Sequence, residues 1–103
     1  MRNILVALCF LLTTQYVIAD DYSFWGQKYD LLIKVYDKHF VVNGIEIKTR
    51  DQISTYLIER DPKKFKKILI VQSTGVNRPE HVALGDYMVR LGYSEPEYAK
   101  ADI

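Results

Sequence analysis

His39 and His81 are the only imidazoles in this 103-residue chain, and each has a carboxylate close by, Asp37 and Glu80. A histidine beside a carboxylate can relay a proton or hold a metal, but a zinc-type site needs three or four ligands at characteristic spacings. These two pairs supply no such spacing. His39 falls at the start of an expected strand and His81 in the first turn of an expected helix, positions suited to surface or capping roles. Ser73-Thr74-Gly75 precedes that same helix and could offer amides to a phosphate; neither a Gly-rich run nor a lysine accompanies it. The one charge run is Lys63, Lys64, Lys66 and Lys67 around Phe65. It reads either as a patch for an anionic polymer, such as cell-wall peptide stems or lipid headgroups, or as lysines that keep the following strand soluble. Glu59, Arg60 and Asp61 dilute the patch and favour the second reading. The residues therefore point to no catalytic group, no cofactor and no metal.

The beginning of the chain argues for a compartment. Arg2 supplies a positive charge, Ile4 to Leu12 is an unbroken apolar run, and Val17-Ile18-Ala19 places small or β-branched residues at the usual cleavage positions, the pattern of a secretory signal peptide. A membrane anchor needs ~20 apolar residues, and Thr13, Thr14 and Gln15 interrupt this run early. We expect residues 1–19 to be a cleaved signal, with no stable membrane insertion afterwards and a periplasmic or secreted product. Cys9, the sole cysteine, lies within that signal, and bulky Leu8 before it argues against lipidation. The remaining 84 residues hold 13 Lys and Arg against 13 Asp and Glu, so no overall field recruits nucleic acid or an anionic membrane. Without cysteine the mature chain has no disulfide, thiol chemistry or thiolate metal site. Its length supports one small core, which burial by a partner or a second copy would help.

The elements follow from local chemistry. Residues 20–28 carry Tyr22, Phe24 and Trp25 in a segment too short for an element of its own. We expect an aromatic arm laid over the domain at 29–103, its rings doubling as interface candidates together with Tyr36 and Tyr98. Tyr29 to Tyr36 alternates with period two and reads as a half-buried strand. Phe40 to Ile47 is two apolar runs around Asn43-Gly44, a pair suited to the positive φ angles of a two-residue type I′ turn. Thr49 with Gln52 forms a capping box for a helix whose stripe is Ile53, Tyr56, Leu57 and Arg60, stopped by Asp61-Pro62. Ile68 to Val71 is the apolar run of a covered central strand, followed by a polar loop from Gln72 to Gly75. Asn77 reads as the cap of a second helix, with Pro79 in its first turn and Glu80 at its third position; Leu84, Met88 and Leu91, with Gly85, line one face, and Gly92 ends it. Residues 98–103 suit an edge strand.

The order is strand, strand, strand, helix, strand, helix and a final strand. Each helix has one apolar stripe, so both belong on one face of a mixed four- to five-stranded sheet: an α+β fold in two layers. The crossover through the first helix should be right-handed and leave the strands it joins parallel or near neighbours.

The succession Ile33-Lys34-Val35, Phe40-Val41-Val42-Asn43-Gly44, Ile53 with Leu57, Ile68-Leu69-Ile70-Val71, then Val82 with Met88, Leu91, Gly92 and Tyr93 resembles the periplasmic domain of the ExbD/TolR proteins of proton-driven envelope motors. The resemblance spans roughly residues 31–93. It implies the α+β fold above, dimerisation, and in some members contact with peptidoglycan or a transducer protein. Family members also bear a transmembrane helix with a protonatable Asp, whereas Ile4 to Ala19 has no acidic residue, and Ser73 stands where the family often has Asp. Those departures remove the motor and leave a binding role. The expectation is an exported, non-enzymatic binding or accessory module that engages an envelope protein or itself; the alternative is a periplasmic immunity or inhibitor protein that neutralises a toxin or hydrolase.

Overall fold

The computed structural model describes residues 22–103; the expected signal peptide lies outside the described residues. In chain order the elements are β1 (Tyr22–Phe24), β2 (Gln27–Tyr29), β3 (Leu31–Val35), β4 (Phe40–Val42), β5 (Ile45–Ile47), α1 (Arg50–Glu59), a 3-10 turn (Pro62–Lys64), β6 (Ile68–Ser73), α2 (Glu80–Arg90) and β7 (Glu97–Ala101). Strands β3 to β7 form one sheet in the order β5-β4-β3-β6-β7. The first three make an antiparallel meander, and β6 and β7 add parallel to β3 and to each other. This is the expected α+β fold with a mixed sheet.

The meander turns where the sequence requires it. Asn43 and Gly44 both hold positive φ, 48° and 80°, a conformation open to this pair at little cost. Asn43 contributes more than its backbone: its Oδ1 accepts the Leu32 N–H at 2.8 Å and its Nδ2 donates to the Asp30 carbonyl at 3.2 Å, clamping the turn onto β3. Thr49 caps α1 by accepting the Gln52 amide at 3.1 Å. The reciprocal bond of the capping box reaches one residue further than expected, from the Lys48 N–H to Gln52 Oε1.

Alternation along β3 and β6 sends Leu31, Ile33, Val35, Ile68 and Ile70 to one face, where they pack with Val42, Ile53, Leu57, Met88 and Tyr93. Both helices lie on this face, side by side, joined by a 2.5 Å hydrogen bond between Ser54 Oγ and the Tyr87 hydroxyl. The opposite face carries a second cluster of Tyr29, Leu32, Leu69 and Val71, flanked by Tyr22, Phe24, Ala99, Ala101 and Ile103. Strand β3 is thus covered on both sides rather than half-buried. It also begins two residues later than expected, because Tyr29 belongs to β2.

The segment expected to hold no element of its own is a correction. Residues 22–29 form a two-stranded antiparallel hairpin pairing Tyr22 with Tyr29 and Phe24 with Gln27. Its turn, Trp25-Gly26, takes positive φ at both positions (51° and 76°), the same turn chemistry as Asn43-Gly44 but with a bulky residue where Asn is usual. Tyr22 and Phe24 are half-buried against the sheet, as an arm would be, while Trp25 stands 68% exposed at the tip.

Further differences concern the second half. The expected loop at Gln72 and Ser73 is the end of β6, with Gln72 fully buried. Helix α2 begins at Glu80, after Pro79, with no side-chain cap, so Asn77 is not its cap and Glu80 is its first residue. The acceptor comes from the neighbouring strand instead: Gln72 Oε1 takes the His81 N–H at 3.1 Å while its Nε2 donates to the Val76 carbonyl. At the other end Gly92, with φ 103°, terminates α2 in a Schellman arrangement, Tyr93 N–H to Met88 O and Gly92 N–H to Val89 O. Tyr93 then turns inward and donates its hydroxyl to Leu57 O at 2.6 Å, tying the end of α2 to α1. The crossover through α1 connects β5 and β6, which run in the same direction but are separated by β4 and β3; β6 inserts beside β3, where five residues pair.

Candidate functional site

Two regions gather exposed groups able to bind something: the open edge of the sheet at β7, and a crevice at the carboxyl ends of β3 and β6.

Among the described residues strand β7 is paired only to β6, so the backbone groups along its outer side have no ladder partner there. Ala99 and Ala101 face the hairpin side of the sheet, and Tyr98 faces the helices. A Cβ at position 85 of α2 would collide with the Tyr98 hydroxyl and ring. Glycine at 85 therefore makes room for the ring, which also meets His81 edge-on at 5.7 Å. Tyr98 remains 37% exposed, and burial together with Asp86 and Glu95 raises its hydroxyl pKa. Glu97 and Lys100 are exposed along the strand and discourage unspecific edge pairing.

His81, expected in a surface or capping role, is only 5% exposed beneath Tyr98, and its Nδ1 is buried with no hydrogen-bond partner among the described residues. Burial, with a lesser contribution from Lys100, lowers its pKa. His39 lies at the other end of the pattern: its ring stacks on Tyr36 at 4.5 Å with planes 5° apart. The two imidazoles thus belong to different surroundings, and among the described residues no three His, Cys, Asp or Glu side chains converge on a common point.

The crevice forms because the chain leaves β3 and β6 in opposite directions, through the 36–39 turn toward β4 and through the 74–79 loop toward α2. Its volume is about 470 Å³, with Tyr36, Lys38, His39, Lys48, Arg50, Arg78 and Glu80 among its lining residues. Both helices start at this end, so their positive dipole ends face it. Arg50 and Glu80 bridge the two helix starts as an ion pair. A smaller groove of about 310 Å³, lined by Phe40, Ile53, Ala83, Leu84 and Tyr87, continues between the helices beyond that pair.

The other residues singled out in the sequence fall apart from these regions. Lys63, Lys64, Lys66 and Lys67 are all exposed ahead of β6. Asp30 pins this run by accepting the Lys66 and Lys67 amides on Oδ2, each at 2.9 Å, and the Lys67 ammonium lies 5.0 Å over the Tyr29 ring. Tyr22, Phe24 and Trp25 sit on the hairpin and Tyr36 on the crevice wall, so the five aromatic interface candidates do not form one patch. Asn43, Gly44, Thr49, Gln52 and Gly92 occupy the turn and cap positions described above. Gln72 and Asp30 were not singled out in the sequence; each satisfies backbone amides of a segment distant in the chain, which local pattern does not reveal.

Compared with family models, with curated proteins and with solved structures, the chain matches none. Among the described residues no helix is long and apolar enough to cross a membrane.

Proposed function

We propose that this chain is an exported binding module, similar in plan to the periplasmic domain of the ExbD/TolR proteins, that engages an envelope protein or a second copy of itself and catalyses no reaction. One observation carries the reading: β7 is a five-residue strand with one side unpaired among the described residues. An extended segment of a partner can add there, its backbone supplying affinity and its alternate side chains specificity. Balanced charge in the expected mature chain speaks against a nucleic-acid partner, and the exposed lysines at 63–67 leave peptidoglycan as a further contact. To test it, a photo-cross-linking residue is placed at Lys100 in cells and captured species are identified by mass spectrometry. The reading expects one envelope protein, or the chain itself, captured from position 100 and not from Glu46 on the opposite edge, and reproduced with purified components. Equal capture from both positions, or a captured protein that fails to bind when purified, would contradict it.

The exposed hairpin tip favours a second reading, a periplasmic immunity or inhibitor protein. Trp25 projects from a tight turn with Phe24 4.5 Å behind it, a shape suited to plugging a partner's cleft. Under this reading Trp25→Ala abolishes binding to the toxin or hydrolase and the position-100 cross-link is irrelevant to it.

A further inference from the structure

We propose that the basic crevice at the carboxyl ends of β3 and β6 is a binding site for a phosphate group. This goes beyond the edge-binding reading and does not depend on it, since no residue of β7 lines the crevice. Four cations reach the cavity from three separate connections: Lys38 from the turn after β3, Lys48 and Arg50 from the junction of β5 and α1, and Arg78 from the loop before α2. Two carboxylates accompany them, Asp37 and Glu80, so the lining carries a formal charge of +2 in a chain whose total is +1. Glu80 is engaged with Arg50. Lys38, Lys48 and Arg78 form no ion pair among the described residues. Uncompensated like charges around one concavity repel each other and raise the local concentration of anions. A phosphate, with about −1.5 to −2 charges near neutral pH, balances this lining where a single carboxylate would leave it positive.

Topology supports the same location independently. In open α/β sheets, ligands bind outside the carboxyl ends of neighbouring strands where the strand order reverses; this sheet has both helices on one face and shares with those folds the reversal between β3 and β6. Here β3 departs to β4 and β6 departs through α2 to β7, and the crevice lies between those two departures. The starts of α1 and α2 add their dipoles to the field in the cavity. Arg78 presents a planar fork of donors fitted to two phosphate oxygens, and the lysines act as point charges around it. A cavity of about 470 Å³ has space for a group attached to the phosphate, so both a soluble phosphate ester and a lipid headgroup fit this chemistry.

The experiment is an NMR titration of the purified, isotope-labelled protein with inorganic phosphate, against acetate at matched ionic strength. Phosphate should shift the amides of 36–39, 48–50, 75–78 and 80 saturably in the millimolar range, with acetate markedly weaker. Arg78→Ala and Lys48→Ala should each weaken binding about tenfold, the loss expected for one charge-assisted contact, while Lys64→Ala, outside the crevice, leaves it unchanged. Unaltered shifts elsewhere in each variant report an intact fold. Vesicles containing phosphatidic acid, compared with phosphatidylcholine alone, separate the sources: binding to the former that Arg78→Ala weakens to a similar degree indicates a headgroup, and binding of free phosphate without vesicle binding indicates a soluble ligand. The proposal is overturned if neither probe binds in a manner that depends on Arg78, if acetate binds as well as phosphate, or if the shifts map to 63–67.

Discussion

Replacing Gln72 by Leu separates the capping arrangement seen in the fold from the one that the sequence suggests. Leucine conserves most of the volume of a fully buried side chain, so little cavity or overpacking cost is expected. The substitution removes the acceptor of the His81 N–H and the donor to the Val76 carbonyl. An orphaned buried donor costs roughly 1–3 kcal/mol, and loss of a helix cap costs about 1 kcal/mol; these describe largely the same bond and are not summed. Added apolar burial offsets part of the loss, so we expect a net destabilisation of about 2 kcal/mol. For a domain of this size that lowers the melting temperature by about 10 °C, out of a total stability of only about 5–15 kcal/mol. Asn77→Ala is the matched comparison. Asn77 is exposed and is not the N-cap, so its removal should stay within about 0.5 kcal/mol. Urea unfolding of the two variants beside the parent measures both. A loss for Asn77→Ala that equals or exceeds that of Gln72→Leu would refute the reasoning, because α2 would then be capped from its own loop.

Four other outcomes follow from particular contacts. Asn43→Ala loses both side-chain bonds to the Asp30–Leu32 segment and must hold φ near 48°; it should cost about 2–3 kcal/mol in denaturant unfolding, and Asn43→Asp, which keeps the acceptor, about half as much. Stability should fall with acidity through His81. Its folded pKa lies below the unfolded value of about 6.5, so the unfolded chain binds more protons and stability drops as pH falls from near that value toward the folded pKa; a His81→Phe variant should lose this slope, and an unchanged slope would assign it elsewhere. Gly85→Ala gains about 1 kcal/mol of helix propensity but forces the Tyr98 ring away; faster amide exchange at 97–101 should reveal the displacement, whatever the net stability. Gly92→Ala, at φ 103°, should destabilise by about 1 kcal/mol or more.

What could be read in advance was whatever is decided within a few residues. Asn43-Gly44, Thr49 and Gly92 each satisfy a backbone requirement set by their immediate neighbours and hold the expected conformation, while Gln52 reaches back to the Lys48 amide, one residue beyond the expected one. The apolar runs at β3 and β6 placed the sheet, and the stripes at Ile53/Leu57 and Leu84/Met88 placed both helices on one face. The failures are contacts made across the fold. Gln72 reads as loop because a polar residue ends an apolar run, yet it is buried to serve an amide nine residues ahead. His81 reads as surface because its burial is conferred by Tyr98 of a strand later in the chain. The β1–β2 hairpin was hidden by a Trp at a positive φ, although Tyr22-Ser23-Phe24 before a Gly already had the alternation of a strand. The crevice was hidden for the same reason: Lys38, Lys48 and Arg78 are isolated in the sequence and meet only through the sheet.

Amide hydrogen exchange along β7, measured with and without the partner captured from position 100, tests the binding reading most directly. If the module works through its open edge, amides on the outer side of 97–101 slow markedly on complex formation while β5, at the far edge, is unchanged. A complex that forms while 97–101 exchanges as in the free protein would contradict the account.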